Sequence, residues 1–260
     1  MNYFTKSSIE LANQRNYLDQ LFSVYPLSPD SIREIDNRLW ADIEESFTKN
    51  DNTQLFLSLL KLKLFPIKDG YVPFFRLYPA AISKNPETIN RICGRVRELG
   101  LTKLYERCTH PKETNRQMGP LFRNWLQRGT LGTCPVDEDT FLQAKGFAIL
   151  SGSDASLANF AKKNLGYNRN KGLDFIAKKN NTYIIGEAKF ISDEGGHQND
   201  QFLDAITTLN TPANENVIKI AILDGVLYIR SKKKMFRTIT TNNLHVMSAL
   251  LLRDFIYSIP

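Results

Sequence analysis

Asp174, Glu187 and Lys189 are three charged residues that a strand pair would bring together. Two β-rich segments flank Asn180-Asn181, and a two-residue hairpin loop with Asn at both central positions suits the positive φ that such turns demand. The register then follows. Lys179 faces Thr182, Ala177 faces Ile184 and Asp174 faces Glu187, with Cα atoms about 5 Å apart. Lys189 comes two residues later on the same face. Like charges directly opposite one another destabilise a sheet, so the two carboxylates call for a compensating cation. A divalent metal supplies it, oxygen ligands favour Mg²⁺, and the backbone carbonyl of Ala188 offers a further ligand. Such a centre suits hydrolysis of a phosphodiester by an in-line water. A lysine of ordinary pKa, about 10.4, is a poor base at neutral pH, so Lys189 is assigned to positioning the water and stabilising developing charge. An acid-x-Lys triplet alone is common and often marks only the frayed end of a hairpin. The upstream Asp174, the register and the apolar Tyr183-Ile184-Ile185 strand favour a site.

These residues resemble the PD-(D/E)xK phosphodiesterase superfamily and, within it, the type II restriction endonucleases. Asp174, Glu187 and Lys189 match the family's Asp, Glu and Lys in order and spacing, with Glu187-Ala188-Lys189 as the (D/E)xK triplet and Leu173 where the family motif has Pro. The resemblance covers residues 112 to 230, including Asn115 to Phe122, and is specific from Asp174 to Gln201. It implies an α/β (α+β) fold with a mixed central sheet flanked by helices, Mg²⁺ as cofactor, double-stranded DNA as substrate and a homodimer. It also implies a cognate DNA methyltransferase in the same system, though not as a stable partner. Many family members use another acid from a preceding helix, for which Asp154, Glu138 and Glu113 are candidates. Gln201 stands where some related nucleases carry a Gln near the metal.

After the triplet, Gly195-Gly196 permits close backbone approach, and His197, Gln198, Asn199 and Gln201 carry the donors and acceptors that read base edges. The alternative is a polar helix start with Asp193 as N-cap, and the two readings are compatible. The chain has 34 Lys plus Arg against 27 Asp plus Glu, a formal charge of +7, which makes a basic surface available to phosphate. Asn168, Arg169 and Lys171, just before the Asp174 strand, are expected to contact the DNA backbone. Lys232, Lys233 and Lys234 lie in the basic run 230–237, either a phosphate contact or a solvated loop.

The elements that position these groups divide at about residue 111. Residues 1–111 read as a helical region packed on the core, and 112–260 as the nuclease core. Ser7-Ser8-Ile9-Glu10 reads as a capping box, Ser28-Pro29 opens a helix with Ile32, Ile35, Leu39, Ile43 and Phe47 inward, and Asn85-Pro86 opens another that Gly100 stops. A helix over 114–128 has Pro120 near its first turn. Ser153 or Asp154 caps the helix before the hairpin; a helix from about 197 to 209 follows it. Strands Val217–Leu223 and Val226–Ile229 are joined at Asp224-Gly225, and residues 242–259 form a final helix. Cys93, Cys108 and Cys134 show no zinc or disulfide spacing, and no stretch approaches the ~20 apolar residues of a membrane span. With no signal-peptide pattern at Met1 to Lys6, a cytoplasmic location is expected. The expected activity is Mg²⁺-dependent cutting of a short specific duplex sequence. A repair or recombination nuclease of the same fold, or a DNA-binding protein without activity, are the alternatives.

Overall fold

The Asp174 hairpin sits inside a five-stranded sheet of order β1-β2-β3-β4-β5 in the computed structural model, which describes residues 1–27, 32–111 and 115–260. The chain begins with helices α1 (Tyr3–Ala12) and α2 (Tyr17–Val24). Asn2, not the predicted box at Ser7, caps α1, because its side chain already accepts the Phe4 N–H. Ser8 lies inside the helix and donates back to the Phe4 carbonyl. The predicted Ser28-Pro29 helix start lies outside the described residues. Downstream of it, Asp36 caps α3 (Asn37–Thr48), so Ile32 and Ile35 precede the helix.

Helices α4 (Asn52–Lys61), α5 (Val72–Leu77) and α6 (Pro86–Thr109) join α3 in a unit over residues 28–112 whose described elements are all helical. Its core is Ile43, Leu55, Phe56, Leu59, Ile92, Val96 and Leu104 with their neighbours. Pro86 opens α6 as predicted, but Gly100 kinks the helix at φ 74° instead of ending it. The second unit combines residues 1–27 with 113–260. The first 27 residues, predicted to belong to the helical region, therefore group with the sheet. Their apolar side chains Ile9, Tyr17, Leu21 and Val24 join the core formed by the sheet residues Ile184, Ile222 and Val246.

In that unit come α7 (Asn115–Gln127), α8 (Glu138–Gln143), β1 (Phe147–Ile149) and α9 (Asp154–Asn164), then β2 (Phe175–Lys179) and β3 (Thr182–Ile191). Pro120 lies in the sixth position of α7, beyond the predicted first turn. β2 and β3 pair antiparallel with Lys179 opposite Thr182, Ala177 opposite Ile184 and Phe175 opposite Gly186. Asn180 takes the positive φ of the turn, 54°; Asn181 does not. Alternation sorts the hairpin between two cores: Phe175, Ala177 and Ile184 on one, Ile176 and Ile185 on the other with α9's Leu157 and Phe160.

The crossover α10 (Gly196–Asn210) leads to β4 (Val217–Gly225), which runs parallel to β3. The predicted strand at Val226 is absent. Val226–Tyr228 is a 3₁₀ turn, and Asp224-Gly225 ends β4 instead of turning a hairpin. After α11 (Lys234–Thr241), β5 (Val246–Met247) adds a parallel edge inside the stretch predicted as a final helix, and α12 (Leu252–Ser258) follows. Gly225 is held at φ 103°, and a Cβ there would lie 2.1 Å from the Ile191 carbonyl oxygen. Gly225→Ala is expected to lose more than about 2 kcal/mol, read from the midpoint of urea unfolding.

Candidate active site

Backbone pairing places the first carboxylate. Asp174 precedes β2 by one residue, and its N–H donates to the Gly186 carbonyl at 3.2 Å, which continues the predicted register toward Glu187. Its Oδ2 accepts the Ala188 N–H and the Lys189 ammonium, each at 2.9 Å. The Lys189 Nζ also lies 2.6 Å from Glu187 Oε1. The structure thus gathers Asp174, Glu187 and Lys189 into one cluster, as their spacing predicts.

Burial decides the electrostatics. Glu187 is 2% exposed, and its Oε2 is buried with no hydrogen-bond partner. Burial first, and then the Asp174 charge, push the Glu187 carboxyl up to about 7, against the pull of Lys189. Burial opposes the charge on Lys189, but Asp174 and Glu187 outweigh it and hold its pKa above the ordinary lysine value. Lys189 is therefore a fixed ammonium, suited to donating hydrogen bonds and not to taking a proton.

The donor set fits a hard divalent cation. An unpartnered buried carboxylate oxygen is costly unless something positive meets it. Asp174 and Glu187 supply oxygens of the kind Mg²⁺ prefers, and Asp174 and Ala188 line a common cavity. Among the described residues no group of three or more His, Cys, Asp or Glu could hold a metal, and the cluster itself contributes two carboxylates. Mg²⁺ tolerates this, since it keeps several positions for water and phosphate.

The cavity over the cluster has a volume of about 240 Å³ and is lined by Asp174, Ala188, Lys189, Phe190 and Gln201, by Asp154 of α9, and by Met118, Gly119, Pro120 and Arg123 of α7. Asp154 and Gln201, both singled out from the sequence, are thus at the site. Glu138 lies in the first turn of α8, behind its Asp137 cap, and does not line the cavity; Glu113 lies outside the described residues. Arg123 is missed by sequence reasoning, for a lone Arg between apolar helix positions carries no local signal. The Met118-Gly119-Pro120 run belongs to a stretch that the resemblance marks.

The other candidates divide. Arg169 and Lys171 both pair with the Asp204 carboxylate on α10, and Arg169 donates further to Thr208 Oγ1 at 2.7 Å. These two cations hold the loop before β2 onto α10, so the expected contact with a DNA backbone competes with an ion pair already made. Asn168 is exposed, as are His197 and Asn199 in the first turn of α10. Gln198 is buried, with its Oε1 unpartnered. The predicted cap Asp193 does not cap α10; Gly195 occupies that position, and Asp193 accepts the Glu194 N–H instead. Lys232, Lys233 and Lys234 are exposed at the start of α11 and do not line the cavity. A larger cavity of about 470 Å³ lies beyond Phe190, lined by Tyr17, Leu18, Val226 and Ile229 among others, and holds none of the three charges.

A family model described as Tsp45I type II restriction enzyme matches residues 2–259. No curated protein and no solved structure matches the chain.

Proposed function

The chain belongs to the Tsp45I type II restriction enzyme family, a site-specific deoxyribonuclease family, and from that premise we propose that Asp174, Glu187 and Lys189 form its catalytic centre. The core around them is a PD-(D/E)xK core in this reading. The observation that carries it is the buried cluster of two carboxylates and one ammonium, in which Glu187 Oε2 is buried without a partner while Asp174 and Lys189 line the cavity.

Asp174 and Glu187 would hold Mg²⁺, with the Ala188 carbonyl as a further ligand. When bound, the ion lowers the pKa of the attacking water and offsets charge on the scissile phosphate. Asp174 divides its labour between oxygens. Oδ2 is committed to the Ala188 N–H and Lys189, which leaves Oδ1 for the cavity. Lys189, anchored by both carboxylates, donates to the attacking water and to the developing negative charge. β3 holds Glu187, Ala188 and Lys189 in its parallel ladder with β4, and the Ala188 N–H is tied to the Asp174 carboxylate on the other side, so the reacting groups need little reorganisation.

The substrate is a short specific sequence in double-stranded DNA, read by side chains about the site, among which His197, Asn199 and Gln201 are exposed or line the cavity. Asn168 and Lys232 to Lys234 are placed on the phosphate backbone in this reading. A homodimer would present two such centres to the two strands. A cytoplasmic location beside a protecting methyltransferase follows from the same reading, and no helix among the described residues is long and apolar enough to cross a membrane. The test is digestion of unmethylated phage and plasmid DNA with Mg²⁺ or with EDTA. Discrete fragments in Mg²⁺ and none in EDTA are expected. Cutting that persists in EDTA would remove the metal role, and a smear without fixed fragments would remove the sequence specificity.

A further inference from the structure

We propose that Arg123 grips a non-bridging oxygen of the phosphate being cut, and that Asp154 is the positioning residue of that arginine and not a third metal ligand. This deepens the reading of the site given above and rests on it.

Among the described residues two cations line the cavity, Arg123 and Lys189. Lys189 is committed to Asp174 and Glu187, and the nearby loop cations Arg169 and Lys171 are committed to Asp204. Arg123 has one partner among the described residues, Asp154 Oδ1, which meets its Nη1. A guanidinium carries five N–H donors in a rigid fork, so one carboxylate oxygen leaves an open edge able to take a phosphate oxygen. The Arg123 side chain is 37% exposed, enough to meet a ligand that enters from solvent.

Both partners stand on rigid elements. The α7 neighbours Phe122, Trp125 and Leu126 are buried in the sheet core, which fixes the backbone that carries Arg123. Asp154 opens α9 behind its Ser153 cap, and its carbonyl accepts the Leu173 N–H at 3.1 Å. Leu173 adjoins Asp174, so one backbone hydrogen bond indexes Asp154 to the catalytic strand. Gly172 makes this approach possible, since a Cβ there would lie 2.6 Å from the Asp154 Cβ. The Asp154 carboxylate, in contrast, lacks the marks of a ligand. Its side chain is 51% exposed and already paired, whereas that of Glu187 is 3% exposed with one oxygen unpartnered.

The test is cleavage of unmethylated phage DNA with enzyme in excess, across a Mg²⁺ titration, for the wild type, Arg123→Ala, Arg123→Lys, Asp154→Asn and the Ala/Asn double variant. Arg123→Ala is expected to cut roughly 100-fold more slowly, the scale of losing one charge-stabilising donor. Arg123→Lys keeps the charge without the fork and should cut about tenfold more slowly. Asp154→Asn should also lose about tenfold, with its Mg²⁺ midpoint within about twofold of wild type. The double variant should be no slower than Arg123→Ala, because Asp154 acts through Arg123. The Arg123–Asp154 pair is largely exposed, so the melting temperatures should stay near wild type. If Arg123→Ala fails to fold, Arg123→Lys decides in the same assay. Wild-type rates in the arginine variants would overturn the proposal. So would a tenfold or larger rise in the Mg²⁺ midpoint of Asp154→Asn alone, which would make Asp154 a ligand. A wild-type protein that leaves the DNA intact would sink the underlying reading of the site and this proposal with it.

Discussion

Glu187→Gln is expected to abolish cleavage and at the same time to stabilise the metal-free protein in neutral and alkaline buffer. The loss of activity follows from charge. An amide keeps the size of the side chain but removes half of the carboxylate pair that would hold Mg²⁺, and a loss of about 10³-fold or more in rate is expected. Digestion of phage DNA measures it, and Asp174→Asn should fall by a similar factor. Residual cutting within about tenfold of wild type in either variant would remove that residue from the catalytic centre.

The gain in stability follows from the same burial. The Glu187 carboxyl is raised to about 7 in the folded protein from an ordinary value of 4.5, chiefly because it is buried. Between those two values the folded state binds more protons than the unfolded state, so stability falls as pH rises through the window. Below the window both states are protonated and the difference vanishes. Above it the ionised carboxylate costs about 3 kcal/mol, on the scale of 1.36 kcal/mol per unit. Urea unfolding in EDTA from about pH 5 to about pH 8 should therefore show wild type losing stability relative to Glu187→Gln. Parallel curves for the two proteins would contradict the burial argument. Mg²⁺ should restore part of the wild-type loss, since it binds the ionised, folded site.

How much of this was legible in the sequence depended on the range of the interactions. The hairpin register was readable because a two-residue loop and period-two alternation fix it within about twenty residues, and the observed pairs Lys179–Thr182 and Ala177–Ile184 are the predicted ones. Asp224-Gly225 misled for a related reason. Asp-Gly between apolar runs is a strong local turn signal, yet here the Gly conformation serves a close approach to the Ile191 backbone at the end of a parallel strand. β1 and β5, three and two residues long, carry too little sequence for any periodicity to show. Arg169 and Lys171 read as free cations because their partner Asp204 lies more than thirty residues away. Arg123 was invisible for the same reason, as only the fold sets α7 against the catalytic strands.

Asp224→Ala is expected to be the most destabilising single substitution in the sheet unit, at about 4 kcal/mol or more. Asp224 is fully buried at the end of β4. Its Oδ1 accepts from the Ser248 hydroxyl at 2.5 Å and the Tyr17 hydroxyl at 3.3 Å, and its Oδ2 accepts from the Tyr25 hydroxyl at 2.9 Å and the Ala249 N–H at 3.2 Å. Removing the carboxylate would strand four buried donors at once, and each unsatisfied group costs about 1–3 kcal/mol before any relaxation. Those donors come from α2, from Tyr25 just after it and from the turn after β5, so the carboxylate is the knot that ties residues 1–27 to the sheet. The same knot bears on the active site. Asp224 pairs with Phe190 in the parallel ladder, one residue beyond Lys189, and Tyr25 packs edge-on against Phe190 at 5.5 Å. A weakened β4 end should therefore loosen the end of β3 that presents Lys189 and Phe190 to the cavity. Urea unfolding of Asp224→Ala beside Asp154→Ala separates this from a general effect of lost charge. The exposed Asp154 pair should contribute about 1 kcal/mol or less, so two variants of equal stability would refute the role assigned to the buried carboxylate.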